Sequence, residues 1–466
     1  MRTRTKIICT IGPAVASKEK MLALAAAGMD GARLNFSHGD HAMHGKQIEM
    51  LKEVRRETGR PLAIMLDTRG PEVRVGHLED PLQLEVGRRY LLGEGGIPLH
   101  PTEVLNYLVP GTAILFDDGY IAAQVVEVGK KGVWIEVESP GLLKSRKGVN
   151  IPGHALEFLP ALTEQDIRDI RFGCSQDVDI IAASFVRSPE QVLAIKALLR
   201  ESGNPSILVM AKIENAQGVE NLDSILHAAD GIMVARGDLG VEMPISQVPA
   251  LQKMMIRKSY MAGKPVATAT QMLESMIERP RPTRAEVSDV ANAVYDNTSA
   301  VMLSGETAVG TYPIQAVQMM KRIIQETEAD IDYRQQSSET RYSLFHDIPS
   351  SVALASVKTA YAINAAAIFT LTHTGRTARL ISRLRPGMPI VALAENEKAY
   401  HQMALNWGVI PVFRGAVRSM EEGQTFITRF ALEEGIVVAG DQAVLTTGTP
   451  FGVSGTTNMM LVETVT

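Results

Sequence analysis

Short, nearly unbroken apolar runs recur along much of the chain, and between them apolar positions repeat every three to four residues. The runs are Lys6–Ile11, Ala32–Phe36, Leu62–Thr68, Asp179–Val186, Ser206–Ile213, Gly231–Ala235, Pro265–Ala269 and Ala300–Leu303. A run apolar on both faces predicts a strand covered on both sides, and the intervening period predicts helices. Eight such units predict an α/β fold, a closed (β/α)8 barrel of the TIM type. The interval 72–153 breaks the alternation with shorter segments, Leu82–Val86, Ala113–Leu115, Tyr120–Val128 and Gly132–Val137, and with a turn at Asp117-Asp118-Gly119-Tyr120. This pattern predicts a small β-barrel lid inserted in a loop of the large barrel. Glu328–Ser350 is polar and aperiodic and predicts a linker. Beyond it, Ala367–Thr372, Pro389–Ala394, Val409–Phe413, Gln442–Thr447 and Met459–Val465 alternate with helical stretches, predicting an open, mostly parallel α/β sheet. The expected domains are residues 1–70 with 154–330 (barrel), 71–153 (lid) and 345–466 (C-terminal α/β domain).

Composition narrows the class of function more than the fold. A net charge of -5 gives no general pull toward nucleic acid or anionic membrane, so an anionic ligand must be held by local clusters. Cys9 and Cys174 are the only cysteines, too few for a thiolate metal site or a disulfide framework, and both sit in or near apolar segments. Reduced core thiols, as in a cytosol, are the expectation. No apolar stretch has the length of a membrane span.

Polar residues gather where the predicted strands end, the rim on which barrel enzymes build their sites. Strand two ends in Arg33-Leu34-Asn35-Phe36-Ser37-His38, strand three in Asp67-Thr68-Arg69, and strand four near Ser184. Strand five ends in Lys212-Ile213-Glu214, strand six in Arg236-Gly237-Asp238, strand seven in Thr270-Gln271 and strand eight in Ser304-Gly305-Glu306. Glu214 and Asp238 are hard oxygen donors on neighbouring strand ends, suited to Mg²⁺. Lys212 shares its strand face with Glu214. A metal pair, a lysine and a ring of cations and hydroxyls meet the needs of phosphoryl transfer. Glu306 is expected to cap a helix, and Asp117 and Asp118 to form a turn, with a lid carboxylate reaching over the site as the alternative.

The segments Thr5–Pro13, Gly31–Asp40, Asp67–Arg74, Lys147–Pro152, Ala211–Asn215, Met233–Glu242, Ala269–Met276, Pro282–Ala293 and Ala300–Ala308 resemble, in order, the signature segments of the pyruvate kinase family. The resemblance implies a barrel, a mobile lid, a C-terminal effector domain and a cytoplasmic homotetramer. It implies the last reaction of glycolysis, phosphoenolpyruvate plus ADP giving pyruvate plus ATP, with Mg²⁺ (or Mn²⁺) and K⁺.

By matching positions, Glu214 and Asp238 correspond to the Mg²⁺ ligands, and Lys212 to the lysine that stabilises the transferring phosphoryl group and the enolate. Thr270 corresponds to the threonine implicated in protonating enolpyruvate. Arg33, Gly237 and Asp238 fall with Lys212 and Thr270 in the substrate site. Asn35, Ser37, Asp67 and Thr68 match the K⁺ site, and Asn35, His38, Arg74 and Lys147 the nucleotide contacts. Glu72 stands where family members that need K⁺ carry glutamate. Arg69 stands where lysine is common, keeping the charge and adding a bidentate fork.

In the C-terminal domain, Thr372, Thr374, Gly375, Arg376 and Thr377 form a hydroxyl- and glycine-rich turn before a helix. Such a turn offers free N–H groups to an anion. It resembles the loop that holds a phosphate of a sugar-phosphate activator, and Thr449–Thr457 could close over the same phosphorylated effector. Two other readings are a metal-dependent aldolase barrel, which needs neither Lys147 nor the Asn35–His38 run, and a non-catalytic relative, against which Lys212, Glu214 and Asp238 all stand.

Overall fold

The computed structural model of the chain describes residues 2–129, 132–153, 158–338, 347–450 and 455–466. The eight predicted strands close into one parallel barrel, observed as Lys6–Thr10, Gly31–Asn35, Ala63–Asp67, Ile180–Ala183, Leu208–Ile213, Gly231–Ala235, Val266–Ala269 and Ala300–Leu303. The first strand seals it by pairing with the eighth, Lys6 opposite Ala300. Alternate residues divide between two cores, as the pleat requires. Ile8, Met65, Met210, Met233 and Met302 fill the barrel interior, while Ile7, Ile64, Val209 and Val234 face the helices. Methionine, unbranched and adaptable, suits the irregular interior.

Between the third and fourth strands lies the lid. Val73–Val75, Arg89–Leu92, Leu99–His100, Ala113–Phe116, Ile121–Gly129, Gly132–Ser139 and Gly148–Asn150 make a seven-stranded sheet. Leu82–Leu84 with Gly141–Leu143 makes a two-stranded ribbon. The two enclose their own core around Phe116, Val125 and Ile135.

The C-terminal domain is a five-stranded sheet in the order Val409–Phe413, Ile390–Ala394, Ala367–Thr372, Gln442–Gly448, Thr457–Thr464, with only the last strand antiparallel. One correction concerns the linker. Helix Pro313–Asp330 runs past Glu328, and Tyr333–Ser338 is helical again, while residues 339–346 lie outside the described ones. Glu328 is not a solvated linker charge, because it accepts from Thr5 N at 2.6 Å and Arg4 N at 2.9 Å and so fixes the start of the first barrel strand.

The C-terminal domain also closes the bottom of the barrel. Leu405, in the short helical turn Met403–Leu405, is buried within the interior cluster. A Cβ on Gly31 would meet Leu405 Cδ2 at 2.9 Å, so a larger residue there would push the plug's side chain aside. Around it, Gln402 Nε2 donates to Ser206 O at 2.8 Å and Asp179 O at 3.1 Å, and Leu62 N donates to His401 Nδ1 at 3.3 Å. Burial, helped by Arg55 and Lys398, pushes His401 down to about 3, so the ring stays neutral and can accept.

Candidate active site

Lys212 lies two residues beyond Met210, so it shares that residue's inward face and emerges at the top of the barrel. Its Nζ lies 2.7 Å from Ser184 Oγ, 3.1 Å from Asp67 Oδ1 and 3.0 Å from Glu214 Oε1. The first two are hydrogen bonds and the third is an ion contact. Burial works to strip the proton, but Asp67 and Glu214 outweigh it and raise the lysine above its ordinary range. Asp67 is buried too, yet Arg33 and Lys212 hold it below the usual carboxylate range. Arg33 Nε donates to Asp67 Oδ2 at 2.5 Å, and Arg33 Nη1 to Thr10 Oγ1 at 3.1 Å. One ionised aspartate therefore fixes both rim cations.

Glu214 follows the strand end, and Asn215 then caps the next helix through its own side chain. Glu214 Oε2 accepts from Phe185 N at 2.6 Å; Phe185 sits in the left-handed region at φ 52, which turns that N–H toward the site. Glu214 Oε1 has the 3.0 Å ion contact with Lys212 but no well-directed hydrogen bond, although it is buried. Burial and neighbouring Asp238 push Glu214 up to about 7 against the pull of Lys212. Asp238 is likewise raised, by burial and by the charge of Asp118, against the pull of Lys212. Buried Glu214, with an oxygen that accepts no hydrogen bond, and half-buried Asp238 on the next strand end fit a divalent cation.

Strand seven ends in two successive left-handed residues, Thr270 at φ 68 and Gln271 at φ 54. Backbone of this kind persists only where its surroundings hold it. Arg236 does so, donating to Thr270 O at 2.8 Å while its other arm meets Asp289 Oδ1 at 2.6 Å. The strain aims Thr270 Oγ1 at the start of helix Arg236–Glu242, where it accepts from Gly237 N at 2.8 Å.

Asn35 pairs in register with Asp67, Ser37 N donates to Asn35 Oδ1 at 3.1 Å, and Thr68 Oγ1 accepts from Ser184 N at 3.2 Å. The four expected K⁺ donors thus share one corner. His38 is exposed at the same rim. Arg74 lies on a lid strand opposite Gly148, and Lys147 immediately precedes that glycine, its carbonyl accepting from Val75 N at 2.8 Å. Each is held by an acid. Arg74 Nε is 2.6 Å from Glu72 Oε1, and Lys147 Nζ is 2.6 Å from Asp117 Oδ1. Asp117, Asp118 and Gly119 are all left-handed, at φ 53, 56 and 83, making a tight turn that presents carboxylates. The lid reaches barrel helix Arg236–Glu242, since Asn150 Nδ2 donates to Glu242 Oε1 at 2.8 Å.

The C-terminal residues stand apart from this rim. Thr372 ends a strand, Gly375 is left-handed at φ 74, and Arg376–Ser382 is helical. Thr377 Oγ1 lies 2.7 Å from Thr457 Oγ1, so the end of the Thr449–Thr457 loop does meet this turn; residues 451–454 lie outside the described ones.

Sequence reasoning gave Ser184 no role, yet its hydroxyl links Lys212 to Asp67 Oδ1 at 3.1 Å and to Thr68 O at 2.6 Å. A hydroxyl at the end of a barrel strand was the available signal. Glu306 accepts from Leu273 N at 3.0 Å and Ser304 N at 2.7 Å, so it is a buried tie between the last two strand ends as well as part of a helical turn.

The family model for the pyruvate kinase barrel domain matches residues 2–317, and that for the pyruvate kinase alpha/beta domain matches residues 350–463. The chain belongs to the pyruvate kinase family. It is 44% identical to the pyruvate kinase of Clostridium acetobutylicum over 471 residues, 99% of each chain. It is 44% identical to that of Geobacillus stearothermophilus over 479 residues, all of this chain and 81% of the relative. Over 476 residues it is 44% identical to that of Chlamydia muridarum, 99% of this chain and 98% of the relative. Membership makes the chain a phosphotransferase of this family. Among the described residues no helix is long and apolar enough to cross a membrane.

Proposed function

We propose that the barrel rim transfers the phosphoryl group of phosphoenolpyruvate to ADP, giving pyruvate and ATP. The observation that carries this reading is Lys212, held charged by Asp67 and Glu214 beside a second carboxyl, Asp238. Glu214 and Asp238 would hold Mg²⁺, with substrate and water oxygens completing its shell. Once bound, the ion neutralises charge on both anionic substrates. Lys212 supplies fixed positive charge to the transferring phosphoryl group and to the enolate left behind. Arg33, locked onto Asp67, clamps the substrate phosphate through its remaining N–H groups. Gly237 offers backbone at the start of helix Arg236–Glu242, where its N–H already meets Thr270 Oγ1. The Thr270 hydroxyl, close to that backbone, hands a proton to enolpyruvate, directly or through water. Asn35, Ser37, Asp67 and Thr68 supply oxygen donors for K⁺. Asn35, His38, Arg74 and Lys147 take the nucleotide, the last two carried by the lid, whose closure excludes water.

Thr372, Thr374, Gly375, Arg376 and Thr377 hold a phosphorylated effector in the same reading. A second copy can seat on the outer strand Thr457–Thr464, whose Leu461 and Val462 are exposed, consistent with the family's homotetramer. The reading places the chain in the cytoplasm. The test is pyruvate formation from phosphoenolpyruvate and ADP with Mg²⁺, in K⁺ against Na⁺ and with sugar phosphates added. Activity that needs K⁺, with activation lost in a Thr374→Ala, Thr377→Ala double variant, supports the assignment. No pyruvate under any of these conditions overturns it.

A further inference from the structure

Helix His41–Thr58 begins directly after the Asn35–His38 run, and its first turn carries two histidines, His41 and His44. Asp40 caps it, the carboxylate accepting from Met43 N at 2.8 Å. Three residues apart, the two imidazoles share one face of the helix. His41 anchors the helix to its neighbour. Its Nε2 lies 2.6 Å from Asp169 Oδ1, and its ring stacks on Phe172 with centroids 4.3 Å apart and planes at 11°. Both partners belong to helix Glu164–Ser175.

His44 meets the rim segment instead. It is buried, and its ring stacks on Phe36 with centroids 4.0 Å apart and planes at 12°. Its Nε2 lies 2.8 Å from the carbonyl oxygen of His38. A carbonyl only accepts, so Nε2 carries the hydrogen and donates. Gly39, left-handed at φ 78, turns the chain just after that carbonyl. One imidazole thus grips the segment twice, by its face at Phe36 and by its edge at His38. Within the segment, Ser37 N donates to Asn35 Oδ1 at 3.1 Å and His38 N to Asn35 O at 3.2 Å, so a shift at His38 is passed back to Asn35.

We infer that His44 is a positioning residue for K⁺ and nucleotide: through Phe36 and the His38 carbonyl it fixes the backbone that presents Asn35, Ser37 and His38. That role rests on the assignment of those three residues under the proposed function. Two substitutions separate the hydrogen bond from ring packing. His44→Phe keeps a ring against Phe36 and leaves the His38 carbonyl unpaired. His44→Gln gives up the ring and keeps an N–H donor the same number of bonds from Cβ as Nε2.

The test measures pyruvate formation by the full chain with Mg²⁺, read as the KM for ADP, the half-saturating K⁺ and the KM for phosphoenolpyruvate at saturating K⁺. Amide hydrogen exchange over residues 36–40 is followed in parallel. In His44→Phe the KM for ADP and the half-saturating K⁺ should each rise about tenfold, the effect of one acceptor left unpaired. The segment should exchange faster, while the KM for phosphoenolpyruvate stays within about twofold. His44→Gln should lie closer to the parent in every one of these. Parental KM values and exchange in His44→Phe, or a KM for phosphoenolpyruvate that rises as far as that for ADP, would overturn the role. A Gln variant more impaired than the Phe variant would overturn it too, leaving His44 a packing ring. A parent that forms pyruvate without any need for K⁺ would overturn the assignment of Asn35 and Ser37, and the amide exchange would still decide whether His44 fixes the segment.

Discussion

The barrel rim and the lid both carry cations for polyanionic substrates, but they hold them differently. At the rim, Lys212 and Arg33 are nearly buried, and the Asp67 that fixes them is fully so. Their geometry is set before any substrate arrives, which is the condition for stabilising a transition state without reorganisation. On the lid, Lys147 is 40% exposed and Arg74 is 35% exposed, each held by an acid of its own domain. Such exposed pairs are worth little, about 0–1 kcal/mol, and exchange readily for a stronger anion. The rim is built to do chemistry and the lid to be captured by nucleotide.

The largest effect should come from the carboxylate pair. Glu214→Gln or Asp238→Asn removes one anionic donor from a two-carboxylate site, and pyruvate formation with Mg²⁺ should fall by roughly a thousandfold or more. Near-normal turnover in either variant would return the rim to an ordinary strand end.

A proton should compete for the same pair. Burial pushes Glu214 up to about 7 when no cation is bound. Its neutral form prevails below that pH and its metal-binding carboxylate form above it. Mn²⁺ affinity, followed by electron paramagnetic resonance, should therefore fall about tenfold per unit as pH drops below about 7, and level off above it. A flat affinity across that range would mean the carboxyls are not the ligands.

Much of this contrast was legible in the sequence, and for a physical reason. The barrel strands are apolar on both faces, so their runs stood out, and polar residues beyond their ends marked the rim. The lid was read less completely. Val73–Val75, Leu99–His100, Gly141–Leu143 and Gly148–Asn150 are two or three residues long and carry almost no periodicity. Nor could spacing reveal that Asp117 holds Lys147, or that Ser184 bridges Lys212 to Thr68, since these contacts exist only once the sheets form. Leu405 had no signal at all, because its place inside the barrel depends on how a separate domain docks.

Smaller effects should separate the lid from the rim. Lys147→Ala removes a charge-assisted phosphate contact, so the KM for ADP should rise about tenfold or more, with little change in the KM for phosphoenolpyruvate. Asp117→Asn should act the other way and weakly, lowering the KM for ADP by no more than about fivefold, the ceiling for an exposed pair. A rise instead would show that Asp117 contacts the nucleotide or its metal rather than merely holding Lys147.

The central claim is that Lys212 acts on charge that develops during transfer, not on substrate in the ground state. Lys212→Met separates the two. With phosphoenolpyruvate binding measured directly by calorimetry in the presence of Mg²⁺, affinity should stay within about threefold, because Arg33 and the metal site remain. Turnover should fall by about 100- to 1,000-fold or more, the usual cost of losing one preorganised contact to a developing charge. Turnover within threefold of the parent, or a loss carried entirely by weaker substrate binding, would contradict the account.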